Sequence, residues 1–161
     1  MRIRTGRTGD LGWMLHRQAV VYAEEFGYHP VFEAYVARGI PPFLDHFDKA
    51  RDGVWVAEDQ AGQPLGFIAI QHDKEREGWA KLRWFLVEAE ARGMGAGRRL
   101  MDEALGFARK AGYKGIYLWT VDDLAAARRV YERAGFQLAY QDPHPCAWAP
   151  WGHEQRWELV L

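Results

Sequence analysis

The run Arg92-Gly93-Met94-Gly95-Ala96-Gly97 decides how this chain is read. Before it lies an alternating apolar stretch, Ala80 to Val87. After it, Leu100, Met101, Ala104, Leu105 and Ala108 recur at three- and four-residue spacing. The first pattern predicts a strand and the second an amphipathic helix. Glycines at alternate positions let the connecting backbone curl and aim several N–H groups at one point, with no Cβ in the way. The helix that starts there adds the positive end of its dipole, and Arg92, Arg98 and Arg99 add positive charge. This combination suits a pyrophosphate. It matches neither of two better-known phosphate loops. Counted from Gly93, the dinucleotide pattern G-x-G-x-x-G meets Arg98 at its last position, and no Gly-Lys-Ser/Thr tripeptide is present.

Working outward, simple alternation puts Ala80, Leu82, Trp84 and Leu86 on one face of the strand and Lys81, Arg83, Phe85 and Val87 on the other. Val54 to Glu58 and Leu65 to Gln71 predict a hairpin ahead of it. Further upstream, a short strand is expected around Ile3. A helix capped by Asp10 then carries Leu11, Met14, Leu15, Ala19, Tyr22, Ala23 and Phe26 and closes at Gly27. A shorter helix through Phe32, Tyr35 and Val36 is expected to break at Gly39 and Pro41-Pro42, with another from Phe43 to Ala50. Downstream come a strand from Gly115 to Thr120 and a helix capped by Asp122 or Asp123, which carries Leu124, Ala127, Val130, Tyr131 and Ala134. A strand from Phe136 to Tyr140, a Pro- and Trp-rich loop from Gln141 to Gly152, and a closing strand from Glu154 to Leu161 follow. Early hairpins and late crossover helices predict a mixed α/β fold, with helices on both faces of one sheet. No linker divides residues 1–161, so a single domain is expected.

Composition narrows the function. The chain is 48% hydrophobic and 14% aromatic, enough for a packed core and unlike a disordered segment. Lys and Arg number 21 against 22 Asp and Glu, so no broad basic field exists for nucleic acid. The lone cysteine, Cys146, permits no internal disulfide. The histidines lack metal-binding spacing, and no metal is expected. Without an apolar leader or a long apolar run, a cytoplasmic protein with no membrane partner is expected.

The residues between Arg92 and Gly97 fit the pattern Gln/Arg-x-x-Gly-x-Gly/Ala. A second segment, Ala127 to Phe136, fits Ala-x-x-x-Tyr-x-x-x-Gly-Phe. In both segments, in their order and in the succession of elements, the chain resembles the GNAT superfamily of N-acetyltransferases. The runs Leu118 to Val121, Leu124 to Arg128 and Tyr22 to Gly27 resemble GNAT domains also found fused to MarR-type regulators. Two departures stand out: Leu124 occupies a position where many members carry Asn, and Ala89 one where many carry Pro.

The resemblance implies a mixed central sheet of about seven strands, with acetyl-CoA as acetyl donor. It implies that Arg92, Gly93, Met94, Gly95, Ala96, Gly97 and Arg98 hold the pyrophosphate, and that backbone groups of Phe85, Leu86 and Val87 line the pantetheine and thioester. It implies Tyr131 as the acid that protonates the departing sulfur. For the general base, Glu24, Glu25, Glu88 and His72 are candidates, with Glu25 preferred because the first helix borders the acceptor cleft in the family. The expected reaction is direct attack by a primary amine of a small molecule or amino acid. The alternatives are a protein N-terminus or lysine as acceptor, and a non-catalytic acyl-CoA sensor. The terminal strand and the Trp-rich loop are a candidate homodimer contact.

Overall fold

The structure, a computed structural model, describes residues 1–161 apart from the side chain of Pro150. Its elements are β1 (Arg2–Thr5), α1 (Asp10–Phe26), α2 (Val31–Arg38), α3 (Ile40–Asp45), β2 (Gly53–Glu58), β3 (Pro64–His72), β4 (Trp79–Val87), α4 (Ala96–Lys110), β5 (Gly115–Val121), α5 (Ala125–Arg133), β6 (Gln137–Cys146) and β7 (Ala149–Val160). The strands form one sheet in the order β1-β2-β3-β4-β5-β7-β6. Only β4 and β5 run parallel; the other neighbours are antiparallel.

Two cores cover the two faces. On one, Leu100, Met101, Ala104 and Ala108 of α4 and Tyr131 of α5 pack against Ile68, Ile70, Ala80, Leu82, Ile116 and Leu118. On the other, Met14, Val36 and Phe43 from α1, α2 and α3 pack against Val56, Phe67, Ala69 and Trp84.

Simple alternation fails along β4. The register passes from Ala69↔Arg83 to Phe67↔Leu86, so Trp84 and Phe85 together oppose Ile68. This is a β-bulge, and Trp84 adopts a positive φ of 54°. The extra residue inverts the faces beyond it. Trp84 packs with the α1–α3 core, while Phe85 and Val87 join Ala80 and Leu82 on the α4 side.

Four further expectations change. Pro41 and Pro42 open α3 rather than break a helix, because the first turn needs no N–H from them. Asp10 lies inside α1, which is preceded by Gly9 at φ 96°. Its carboxylate instead accepts the Arg7 N–H at 2.7 Å and pairs with Arg4 at 2.7 Å. Neither Asp122 nor Asp123 caps α5, which starts after Leu124 with no side-chain cap. Asp122 accepts the His153 N–H and Asp123 the Tyr28 hydroxyl, each at 2.9 Å. Finally, the expected loop from Gln141 to Gly152 is the end of a long β6–β7 hairpin with register shifts. Pro143 and Pro145 are tolerated because β6 is an outer strand with one edge free of partners.

Candidate active site

The glycine-rich loop begins with a single 3-10 turn, Ala89–Ala91, anchored by buried Ala91. Arg92 is extended, and Gly93 and Gly95 then take φ values of 77° and 81°. An L side chain is strained at such angles, so the curl depends on glycine at both positions. Gly95 precedes α4, whose first turn has neither a side-chain cap nor an acidic residue. The amides of Gly95, Ala96, Gly97 and Arg98 have no acceptor among the described residues. Gly97 has another purpose. A Cβ there would lie 3.2 Å from Phe85 Cζ and 3.5 Å from Val87 Cγ2, so its absence lets α4 settle on β4. Met94 projects from the loop, 64% exposed.

Arg92 ties this loop to two other elements. Its Nε donates to the Val87 carbonyl at 3.1 Å, and its Nη1 and Nη2 donate to the two Glu25 oxygens at 2.7 and 2.8 Å. One helical stretch earlier, Arg17 holds buried Glu88 at 2.6 and 2.9 Å. These two ion pairs fix α1 alongside the end of β4.

A gap opens between β4 and β5. Their pairing runs from Trp79↔Gly115 to Lys81↔Tyr117 and stops, although β4 continues to Val87 and β5 to Val121. The β5-facing backbone of Phe85, Leu86 and Val87 therefore has no strand partner. Tyr131, 5% exposed, closes the floor of the gap, its ring 5.9 Å from Phe85 and 6.1 Å from Phe136. Burial pushes its phenol well above the ordinary range, the neighbouring Tyr22 adds to this, and Thr120 hydrogen bonding opposes it. Tyr22, half-buried, is pushed up to about 12 by desolvation. Both phenols are protonated at neutral pH.

The gap widens into a cleft of about 100 Å³ lined by Gln18, Tyr22, Tyr35, Lys81, Arg83 and Tyr131, among others. Its outer wall is aromatic. Trp148, in the turn between β6 and β7, stacks on Tyr35 at 4.4 Å and lies 5.9 Å from Phe32. The His29 N–H bonds the Trp148 carbonyl at 2.9 Å and pins that turn to the start of α2. Glu154 of β7 sits opposite Val121 at the open end of β5. Burial, then the nearby Asp142 charge, raises its carboxyl above the ordinary range, while Lys81 opposes this.

The residues read from the sequence fall into two groups. Phe85 and Tyr131 line the cleft, Leu86 and Val87 continue β4 beyond Phe85, and Arg92 to Arg98 carry the chain from β4 into α4, where Gly97 abuts Phe85 and Val87. The base candidates do not converge. Both Glu25 oxygens are held by Arg92, Glu88 is held by Arg17, and Glu24 is exposed. His72 faces Asp52 at 2.9 Å, at the end of β3 remote from the bulge. Leu124, where the family pattern has Asn, is buried with Tyr28, Val121, Cys146 and Ala149. Sequence reasoning overlooked Glu154, Thr120 and Trp148. Glu154 was within reach, since alternation along the closing strand sets it against buried Gln155 and Trp157.

Comparison with known proteins agrees with this geometry. The family model for the "Acetyltransferase (GNAT) family" matches residues 22–136, from the last turns of α1 to the residue before β6. An uncharacterised N-acetyltransferase of Schizosaccharomyces pombe is 33% identical over 93 residues, which cover 56% of this chain and 56% of that protein. The chain thus matches little more than half the length of that relative. Among solved structures, a GNAT-family acetyltransferase from Staphylococcus aureus Mu50 superposes with a TM-score of 0.77 at 17% identity, covering 99% of this chain and 98% of that one. A Bacillus anthracis protein in complex with acetyl coenzyme A superposes with a TM-score of 0.62 at 23% identity, covering 74% of this chain and 68% of that one. Family model, splayed strands and glycine-curled loop agree: the chain belongs to the GNAT acetyltransferase family.

Proposed function

We propose that the chain moves an acetyl group from acetyl-CoA to the primary amine of a small molecule. The observation that carries this reading is the uncapped start of α4, whose free amides stand at the mouth of the β4–β5 gap with Tyr131 on its floor. Free N–H groups at a helix start suit the pyrophosphate of coenzyme A, and Arg98 adds charge beside them. The backbone of Phe85, Leu86 and Val87, which has no strand partner on the β5 side, suits the pantetheine arm. An N–H there aimed at the developing oxyanion is worth roughly 3 to 4 kcal/mol.

The amine nitrogen attacks the thioester carbonyl carbon, forming the C–N bond as the C–S bond breaks. The Tyr131 hydroxyl gives its proton to the departing sulfur. An ammonium acceptor must first lose a proton, and Glu154 takes that role, since its carboxyl is raised and it stands opposite Val121, which lines the cleft. After attack the new amide nitrogen gives up its second proton, which restores Tyr131. The products are the N-acetylated acceptor, the free thiol of coenzyme A and one proton. Glu25 acts differently, as the carboxylate that holds Arg92 against the loop.

A small acceptor is favoured by the wall that Trp148 and Tyr35 raise across the outer side of the cleft. Thiol release from acetyl-CoA, followed across small amines and peptides, tests the assignment. Turnover on small amines, reduced by about 10²-fold or more in Tyr131→Phe with acetyl-CoA affinity nearly kept, is the expected result. Turnover on peptides alone would move the assignment to a protein acceptor. Tight binding with no turnover would make the chain a sensor.

A further inference from the structure

Lys81 and Arg83 are two residues apart on β4, ahead of the bulge, and both line the cleft that contains Tyr131. Neither has a carboxylate at ion-pair distance among the described residues, and the Lys81 side chain makes no hydrogen bond there. Arg83 is nonetheless held firmly. Its Nη1 donates to Gln71 Oε1 at 2.7 Å, and its guanidinium lies 4.4 Å from the centre of the Trp84 ring. Its other terminal nitrogen fills the space beside Gly39, where a Cβ would fall 2.2 Å away. A guanidinium offers five N–H donors, and only one is engaged here by a side chain.

Two half-buried cations on one face of a strand, with no carboxylate at ion-pair distance and only the longer-range charges of Asp73 and Glu154 acting on Lys81, form an unfavourable arrangement. Burial lowers both of them, and Arg83 further lowers Lys81. An incoming anion would relieve this cost, and a fixed planar guanidinium suits a carboxylate in particular. Along the strand, Arg83 is about 7 Å and Lys81 about 13 Å from Phe85, at the end where the thioester would lie. An acceptor that reaches both ends carries its amine and its anion several bonds apart.

We propose that the acceptor is an amino-carboxylate, whose carboxylate is bound by Arg83 and Lys81 while its amine is presented at the bulge. The substrate part of this statement rests on the acetyl-transfer reading above. A second positive charge in the acceptor would meet like charges at both side chains, so diamines are disfavoured.

Calorimetry on the protein loaded with coenzyme A tests binding apart from turnover, using γ-aminobutyrate, ε-aminocaproate, butylamine and putrescine. The expected result is that at least one amino-carboxylate binds about tenfold or more tighter than butylamine and putrescine. That ratio collapses toward one in Arg83→Gln and in Lys81→Met; the second variant removes a charge without touching the Gln71 and Trp84 contacts. Equal binding of all four compounds, or a preference for putrescine, overturns the proposal. Thiol release measured on the same panel separates the two readings. A carboxylate preference in binding without thiol release leaves the anion subsite standing and removes acetyl transfer.

Discussion

Glu25 at the end of α1 and Arg92 at the head of the phosphate loop share two parallel hydrogen bonds of 2.7 and 2.8 Å. Because Arg92 also donates to the Val87 carbonyl, one guanidinium joins the first helix, the fourth strand and the loop. Its orientation therefore depends on Glu25. Glu25→Gln is expected to weaken acetyl-CoA binding by about 5-fold, an effect in the range of a partly exposed ion pair. The shape of the rate-against-pH profile should be kept. Titration calorimetry and that profile check it, and a lost acid limb would return the role of base to Glu25.

Glu154 carries the opposite expectation. Its raised carboxyl must be ionised to accept a proton, so activity should rise with pH through a value above that of an ordinary glutamate. Glu154→Gln should remove this limb and lower kcat/KM by about 10²-fold. A pH series of kcat/KM for both proteins measures it; an unchanged profile would leave the base to solvent.

Lys81 links the acceptor site to stability. Burial, then Arg83, lowers its amine from 10.5 to about 8, while Asp73 and Glu154 oppose the shift. In the unfolded chain the amine stays protonated up to its ordinary value. The folded state therefore bears the full cost below pH 8, and that cost fades as pH rises from about 8 to 10.5. Lys81→Met should stabilise the protein at neutral pH, by about 3 kcal/mol at most, and the gain should vanish toward the upper end of that window. Denaturant unfolding of both proteins at several pH values checks the sign.

Gly95 isolates the backbone contribution to the phosphate loop. Nothing lies within 4 Å of a Cβ added there, so Gly95→Ala introduces no clash and only the strain of φ 81°. A loss of about 1 to 2 kcal/mol is expected, seen as a drop of a few degrees in Tm. Gly97→Ala differs in kind, because its Cβ must push against Phe85 at 3.2 Å and so disturbs the seat of α4 on β4. Thermal unfolding with and without coenzyme A compares the two variants.

Most of the fold is legible in local pattern. The spacing of Leu100, Met101, Ala104 and Ala108 gives α4, and the glycines before it give the loop, since both depend only on neighbours in the chain. The inversion at Trp84 was hidden, because a bulge is set by how β3 and β4 meet and leaves no mark on alternation itself. The same holds for α5. Asp122 and Asp123 are good capping residues by type, yet His153 and Tyr28, distant in sequence, engage them instead. The site divides likewise. Its donor half, Arg92 to Arg98 with Tyr131, lies in two short runs. Its proposed acceptor half combines Tyr35, Lys81, Arg83, Trp148 and Glu154 from three separate elements and a turn, a grouping visible only after folding.

The stack of Trp148 on Tyr35 bears on how the molecule is made. During synthesis, the glycine-curled loop and both of its flanking elements emerge well before Trp148 leaves the ribosome. On the proposed assignment, a nascent chain can therefore form the loop that grips the coenzyme while one flank of the acceptor cleft still stands open. Closing it joins positions more than a hundred residues apart, the kind of long-range contact that forms last and slowest. On that assignment, selectivity for the acceptor is set later in folding than the hold on the coenzyme.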